Sequence, residues 1–282
     1  MKYLRWGPTG KEKPGALDDV GNIRDLSSLV EDINPEVIAS NRLQGLNEND
    51  LQNLPIVDRH ERIGACVGRV PNFYCIGLNY RKPDAPVDMT GSEKVVITSK
   101  ATTALSGAHD DILLPANSQK TDWEVELGLV IGKEAWQISE AEALDHVFGY
   151  CIVNDVCERD YMFEHGGQWI KGKSVPGYGP AGPYLVSKDE ISDPQHLGLW
   201  LKLNGHIMQN ANTSQMITGV ARLVAHMSRY MKLVPGDLIA TGTPPGLGMH
   251  QQPPVFLQEG DRLELGIAGL GSQRATVRRS PS

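Results

Sequence analysis

A mixed, strand-dominated α+β fold is what this sequence predicts, on three observations. Its apolar runs are short and rich in β-branched residues, as at Val95-Val96-Ile97-Thr98, the length and composition of strands. Among 282 residues there are 30 glycines and 18 prolines, so those runs are punctuated by tight turns and irregular connections. One stretch, 218–231, carries apolar residues at the spacing of a single helix face (Val220, Leu223, Val224, Met227, Tyr230 and Met231). No βα unit repeats, and neither G-x-G-x-x-G nor a P-loop occurs.

Residues 1–65 read as a small N-terminal domain. A strand is expected at 2–6, short strands around turns at 15–17 and 22–24, a helix start at 25–30, and helical fragments at 35–38 and 46–54. Large apolar residues are few here, so this unit leans on the rest of the chain and assists dimerisation. The second domain spans 70–282. Strands are expected at 73–77, 95–98, 111–114, 124–131 and 149–156, with a small helix at 140–145 that Ser139 would cap. Residues 158–183 are rich in Gly and aromatic side chains without a period and read as a functional loop. A hairpin follows, turned at Asn204-Gly205, a type I′ signal. Strands at 237–240 and 261–267 complete the pattern.

The net charge of −7 leaves no basic footprint for nucleic acid. The four cysteines, Cys66, Cys75, Cys151 and Cys157, form no C-x-x-C and read as buried thiols in a reducing compartment. The first fifteen residues lack the apolar core of a signal peptide, and no apolar run reaches the length of a membrane span. A cytoplasmic protein without nucleic-acid or membrane partners is expected.

The most informative segment is Trp123-Glu124-Val125-Glu126-Leu127, with Asn154-Asp155 downstream. In a strand, positions i and i+2 face one side, so Glu124 and Glu126 project together beside strongly apolar neighbours. Two explanations fit. Either this is the solvated face of an edge strand, or the pair holds a hard divalent cation with Asp155 as a third oxygen ligand.

Six short motifs, in order, make the chain resemble the fumarylacetoacetate hydrolase family from about residue 70 to 275. They are Cys75-Ile76-Gly77-Leu78-Asn79-Tyr80, Trp123–Gly128, Val153-Asn154-Asp155-Val156, Lys171-Gly172-Lys173-Ser174, Asn204-Gly205 and Thr241-Gly242-Thr243-Pro244-Pro245-Gly246. The resemblance implies a β-sandwich or β-roll and a homodimer. It implies Glu124, Glu126 and Asp155 as ligands of Mg2+ or Mn2+. It further implies that Lys173 faces a small 2-oxo acid substrate, that Thr243 meets its carboxylate, and that Arg159, Asn79 and Tyr80 lie near it. The leading domain and the run 168–174 resemble bacterial members acting on 2,4-dioxo-3-deoxy sugar acids. The implied reaction is hydrolysis of the C3–C4 bond of such an acid, for example a diketo-deoxyrhamnonate or -fuconate, to pyruvate and a hydroxy acid. His206, Asn210, Asn212 and Gln215 would serve its polar end.

One departure matters. Where family hydrolases carry a His-x-x-Glu pair that activates water, this chain has Pro83 and Pro86, which offer no acid–base group. Asp84, Asp88, His109 and His165 are candidate replacements, with His109 carried as the catalytic one. The departure keeps two alternatives open: a metal-dependent oxaloacetate tautomerase, decarboxylase or lyase, and a weakly catalytic metal- and anion-binding homologue.

Overall fold

A computed structural model describes residues 1–81 and 95–280. In the N-terminal segment β1 (Lys2–Trp6), β2 (Lys13–Leu17) and β3 (Ile23–Asp25) form a meander. Two short helices follow, α1 (Pro35–Ala39) and α2 (Glu48–Gln52). Each opens on an asparagine whose side chain satisfies an orphan backbone N–H, Asn34 for Val37 and Asn47 for Asn49.

The rest of the chain is mostly strand: β4 (Phe73–Gly77), β5 (Val96–Lys100), β6 (Leu105–Ser106), β7 (Ile112–Leu114), β8 (Thr121–Asp122), β9 (Val125–Ile131), β10 (Val147–Asn154) and β11 (Cys157–Glu158). Two five-residue helices come next, α3 (Arg159–Phe163) and α4 (Trp169–Lys173). Then come β12 (Gly179–Ser187), the hairpin β13 (Gly198–Leu203) and β14 (His206–Asn212), α5 (Val220–Ser228), β15 (Leu238–Ala240), β16 (Arg262–Ile267) and β17 (Gly271–Arg279). Among the described residues, one ten-stranded sheet runs β3-β2-β1-β12-β10-β9-β15-β4-β5 with β6 beside β12. A five-stranded sheet runs β14-β13-β16-β17-β7. This is the strand-dominant α+β architecture expected from the sequence.

β9 and β10 explain how the two layers meet. Odd positions of β9 (Val125, Leu127, Leu129, Ile131) join the core that includes Leu201 and Leu203 of β13, Leu263 and Leu265 of β16, and the apolar face of α5. Val130 faces the other way, into a second core with Tyr3, Leu26, Ile33, Val37 and Phe148. Both strands are buried on both faces, which is why they read as apolar runs rather than alternating ones. The N-terminal segment shares this second core, and β1 pairs with β12 (Lys2↔Val186), so it extends the main sheet.

Three readings of the sequence change, the first being the helix start expected at 25–30, where Asp25 instead ends β3 and a turn follows. Residues 158–183 are not a loop: they hold β11, α3, α4 and the start of β12. The interior strand β12 was hidden by its glycines and by Pro180 and Pro183, residues that normally argue against a central strand. Its pairing with β10 shifts register between Tyr150 and Ile152, which accommodates them. The helix expected at 140–145 is a 3-10 turn, Ala143–His146. The hairpin turn is as read: Asn204 and Gly205 have φ of 51° and 82°, both positive as type I′ requires.

Gly149 lies where β10 crosses β12, and a Cβ there would stand 2.2 Å from the Val186 carbonyl oxygen. Gly149→Ala is expected to cost about 3 kcal/mol of unfolding free energy in urea titration, through displaced backbone rather than lost burial. An unchanged midpoint would mean that the sheet yields there.

Candidate metal centre

The acidic cluster forms where β9 begins and β10 ends. The Asp155 N–H donates to the Glu124 carbonyl (2.9 Å), and Asn154 Oδ1 accepts from the Glu124 N–H (3.2 Å), so the two residues are tied through the backbone. Glu126, one residue into β9, accepts from the Gly242 N–H (2.7 Å) just past β15. Gly242 has φ of 104°, and a Cβ there would lie 2.7 Å from Asn79 Cβ. Glu124, Glu126 and Asp155 are all buried, which excludes the solvated edge-strand explanation.

Three buried cations surround them. Lys173 donates to Glu124 Oε2 (3.2 Å) and to Asp155 Oδ2, and sits 3.2 Å from the Cys157 sulfur. Arg159 bridges Glu124 Oε1 (2.7 Å) and Asp122 Oδ2. Lys100, at the end of β5, stands 2.7 Å from Asp155 Oδ1, an ion pair whose angle leaves that oxygen without a directed hydrogen bond. Lys100 also donates to the carbonyls of Val156 and Lys173. Formally, five buried carboxylates here (Asp122, Glu124, Glu126, Asp155, Glu158) meet three buried cations (Lys100, Arg159, Lys173).

The electrostatics divide the roles. Burial pushes the Glu126 carboxyl well above the usual range, and the charges of Asp155 and Glu124 add to this. Burial also acts to raise Asp155, but Lys100 and then Lys173 outweigh it and hold that group below the ordinary value. Burial alone would strip the proton from Lys173, yet Asp155, Cys157 and Glu124 hold it firmly as an ammonium. Among the described residues, one group of potential ligands has atoms within 4.8 Å of one another: Glu124, Asp155 and Cys157. The thiol fits a hard cation poorly, because burial pushes it up to about 12 and thiolates are soft ligands. The carboxylate oxygens fit Mg2+ or Mn2+.

A cavity of about 220 Å³ opens on Glu124, Glu126, Arg159 and Lys173. Tyr80 and Thr243 also line it. Among the described residues the buried Tyr80 hydroxyl has no partner, and burial followed by the Glu126 charge keeps it protonated. Thr243 lines the cavity with its hydroxyl engaged, donating to the Val125 carbonyl (3.0 Å) and accepting from Gln209 (2.8 Å).

Three residues expected at the site, Asn79, His109 and His165, are not part of the cavity lining. Asn79 is a brace: its amide donates to the carbonyls of Thr218 and Thr241 and accepts from the Thr218 N–H, leaving little for a substrate. His109 is on the outer surface, its Nδ1 accepting from the Arg274 N–H on β17. His165 is exposed and packs against the Tyr161 ring. Pro83, Asp84, Pro86 and Asp88 lie outside the described residues. Sequence reasoning missed Lys100 and Asp122. A sequence signal for Asp122 existed, since Asp122, Glu124 and Glu126 continue one i, i+2 series.

With this geometry in view, the comparisons are specific. The profile of the fumarylacetoacetate (FAA) hydrolase C-terminal family matches residues 72–278, and the chain belongs to that family. A protein of Burkholderia orbicola (strain MC0-3) described as a "Putative hydrolase" is 51% identical over 281 residues, covering 99% of this chain and 100% of its own. A fumarylacetoacetate hydrolase from Exiguobacterium antarcticum superposes with a TM-score of 0.89 at 34% identity, over 99% of this chain and 100% of that one. Maleylpyruvate hydrolase from Sphingobium sp. SYK-6, solved with manganese(II) and pyruvate, gives 0.83 at 26% identity over the whole of both chains.

Two outcomes follow from the charge arrangement. Lys173→Met should destabilise the metal-free protein by about 3–5 kcal/mol in urea unfolding, because it leaves buried carboxylates without their cation. In calorimetric titration with Mg2+ or Mn2+, Glu126→Gln should weaken binding roughly 100-fold or more, and Cys157→Ser by less than about 3-fold. The reverse order would make the thiol the ligand.

Proposed function

We propose that this chain is a divalent-metal-dependent hydrolase that cleaves the C3–C4 bond of a 2,4-dioxo acid, releasing pyruvate and the carboxylic acid of the distal acyl group. The observation that carries this reading is the buried cluster of Glu124, Glu126 and Asp155 beside a cavity lined by Lys173 and Arg159. Family membership and the pyruvate in the Sphingobium relative support it. Glu124, Glu126 and Asp155 would hold the ion, which when bound supplies Lewis-acid polarisation of the 2-oxo group.

The remaining work falls to the protein's own side chains. Arg159, braced by Asp122, fixes the Glu124 carboxylate, and Lys100 fixes Asp155. Lys173 keeps its proton and presents positive charge where negative charge develops on the departing three-carbon unit, stabilising it in a water-poor site. The unpartnered Tyr80 hydroxyl supplies a neutral donor to the same region, and the Thr243 hydroxyl can exchange its backbone acceptor for the substrate carboxylate.

Within this reading, the hydroxylated sugar-acid tail is the narrower alternative. The side chains expected to meet it, His206, Asn210, Asn212 and Gln215, are absent from the cavity lining among the described residues. A second reaction, keto–enol exchange or decarboxylation of oxaloacetate, is the alternative: it needs no activated water, and among the described residues His250 is the imidazole that lines the cavity.

The decisive assay couples pyruvate release to a lactate dehydrogenase reporter over a panel of 2,4-dioxo acids, with Mg2+, with Mn2+ and with chelator. Release should require the metal and fall roughly 10³-fold in Asp155→Asn. No pyruvate from any dioxo acid, with faster loss of enol-oxaloacetate, would replace the hydrolase by the tautomerase.

A further inference from the structure

The two short helices beside the acidic cluster are built alike. On α3, Arg159 reaches the carboxylates, while Met162 and Phe163, three and four residues on, share its side of the helix and line the same cavity. On α4, Lys173 reaches the carboxylates and Trp169, four residues earlier, lines the cavity. Each helix thus brings a cation and apolar side-chain surface to the same cavity. The helices are locked together: a Cβ on Gly172 would come within 2.3 Å of Met162 Cγ, and the Phe163 and Trp169 rings meet edge to face at 6.3 Å. The indole is seated against β4, where a Cβ on Gly77 would be 2.5 Å from it.

Ile76, Leu247 and Met249 add further apolar lining. At the mouth, Leu78 is 77% exposed and held at φ of 57°, a conformation that branched side chains seldom adopt. Phe163 is 45% exposed beside the same opening. Away from the acidic end and Tyr80, the titratable group of the lining is His250, which is exposed. A hydroxylated chain entering this channel would surrender hydrogen bonds to water and find apolar walls, whereas an alkyl or aryl chain would leave water for them.

We propose that the site selects 2-oxo acids with an apolar distal chain, and that Met162, Phe163 and Trp169 determine that selectivity. The inference deepens the reading above and rests on it for the reaction, while its binding test is independent of turnover. The Mg2+-loaded protein is titrated calorimetrically with pyruvate, 2-oxobutanoate, 2-oxopentanoate and phenylpyruvate, and with 4-hydroxy-2-oxobutanoate against its deoxy counterpart. Affinity should rise about fourfold per methylene, the ratio that burying one such group corresponds to, and the hydroxylated acid should bind more weakly than 2-oxobutanoate. Phe163→Ser and Trp169→Ser should each weaken phenylpyruvate binding at least about ten times more than pyruvate binding. If Trp169→Ser does not fold, the exposed Phe163 position and the wild-type series still decide.

Affinities that are flat along the series, or higher for the hydroxylated acid, overturn the proposal. A graded series in a protein that releases pyruvate from no 2,4-dioxo acid would sink the hydrolase reading and leave this one standing. Absence of binding by every 2-oxo acid would overturn both.

Discussion

Burying five carboxylates around the start of β9 and the end of β10 is the constraint on which the rest of this structure depends. Such groups lose their hydration, and each must be matched by a cation or by directed N–H and O–H groups. The chain supplies that matching from distant places: Lys100 from β5, Arg159 from α3, Lys173 from α4, and the Gly242 N–H from the turn after β15. Those elements are thereby drawn to one point, and the cavity is the space their side chains leave between them. Potential ligand atoms of Glu124, Asp155 and Cys157 lie within 4.8 Å of one another at that point.

The sheet makes this possible because β9 is central. With Val125, Leu127, Leu129 and Ile131 committed to the core between the layers, the pleat sends Glu126 to the opposite side, across from Val153 of β10. A slip of one residue would exchange these faces and put the carboxylate into hydrocarbon. The register that buries the core therefore also aims the Glu126 carboxylate. Asp122 plays a connecting part: besides Arg159, it accepts from the N–H groups of Gly248 and Met249, so the turn forming one cavity wall is tied to the residue that steers Glu124.

Much of this was legible in advance, for reasons particular to each element. β4, β5, β9 and β10 announce themselves because β-branched and apolar runs of that length have few other uses, and the Asn204-Gly205 turn because two positive φ angles suit those residues. β12 escaped because Gly and Pro usually exclude an interior strand, and here a register shift beside β10 absorbs them. Lys100 escaped because nothing local separates a lysine that ends a strand in solvent from one that ends it against a buried aspartate. Asn79 and His109 were misplaced for the same reason: polarity near a motif does not say which way a side chain is already committed.

By itself, the sequence determined the strand-dominant class, the family resemblance and the acidic segments around Glu124 and Asp155, because periodicity and short ordered motifs are properties of neighbours along the chain. The tertiary structure alone decided which cations oppose those acids, that the Asn79 amide bonds the backbone of Thr218 and Thr241, and that the channel beyond the charges is lined by Met162, Phe163 and Trp169. Charge compensation and cavity lining are set by which distant segments converge in space, and no local pattern in the chain encodes that.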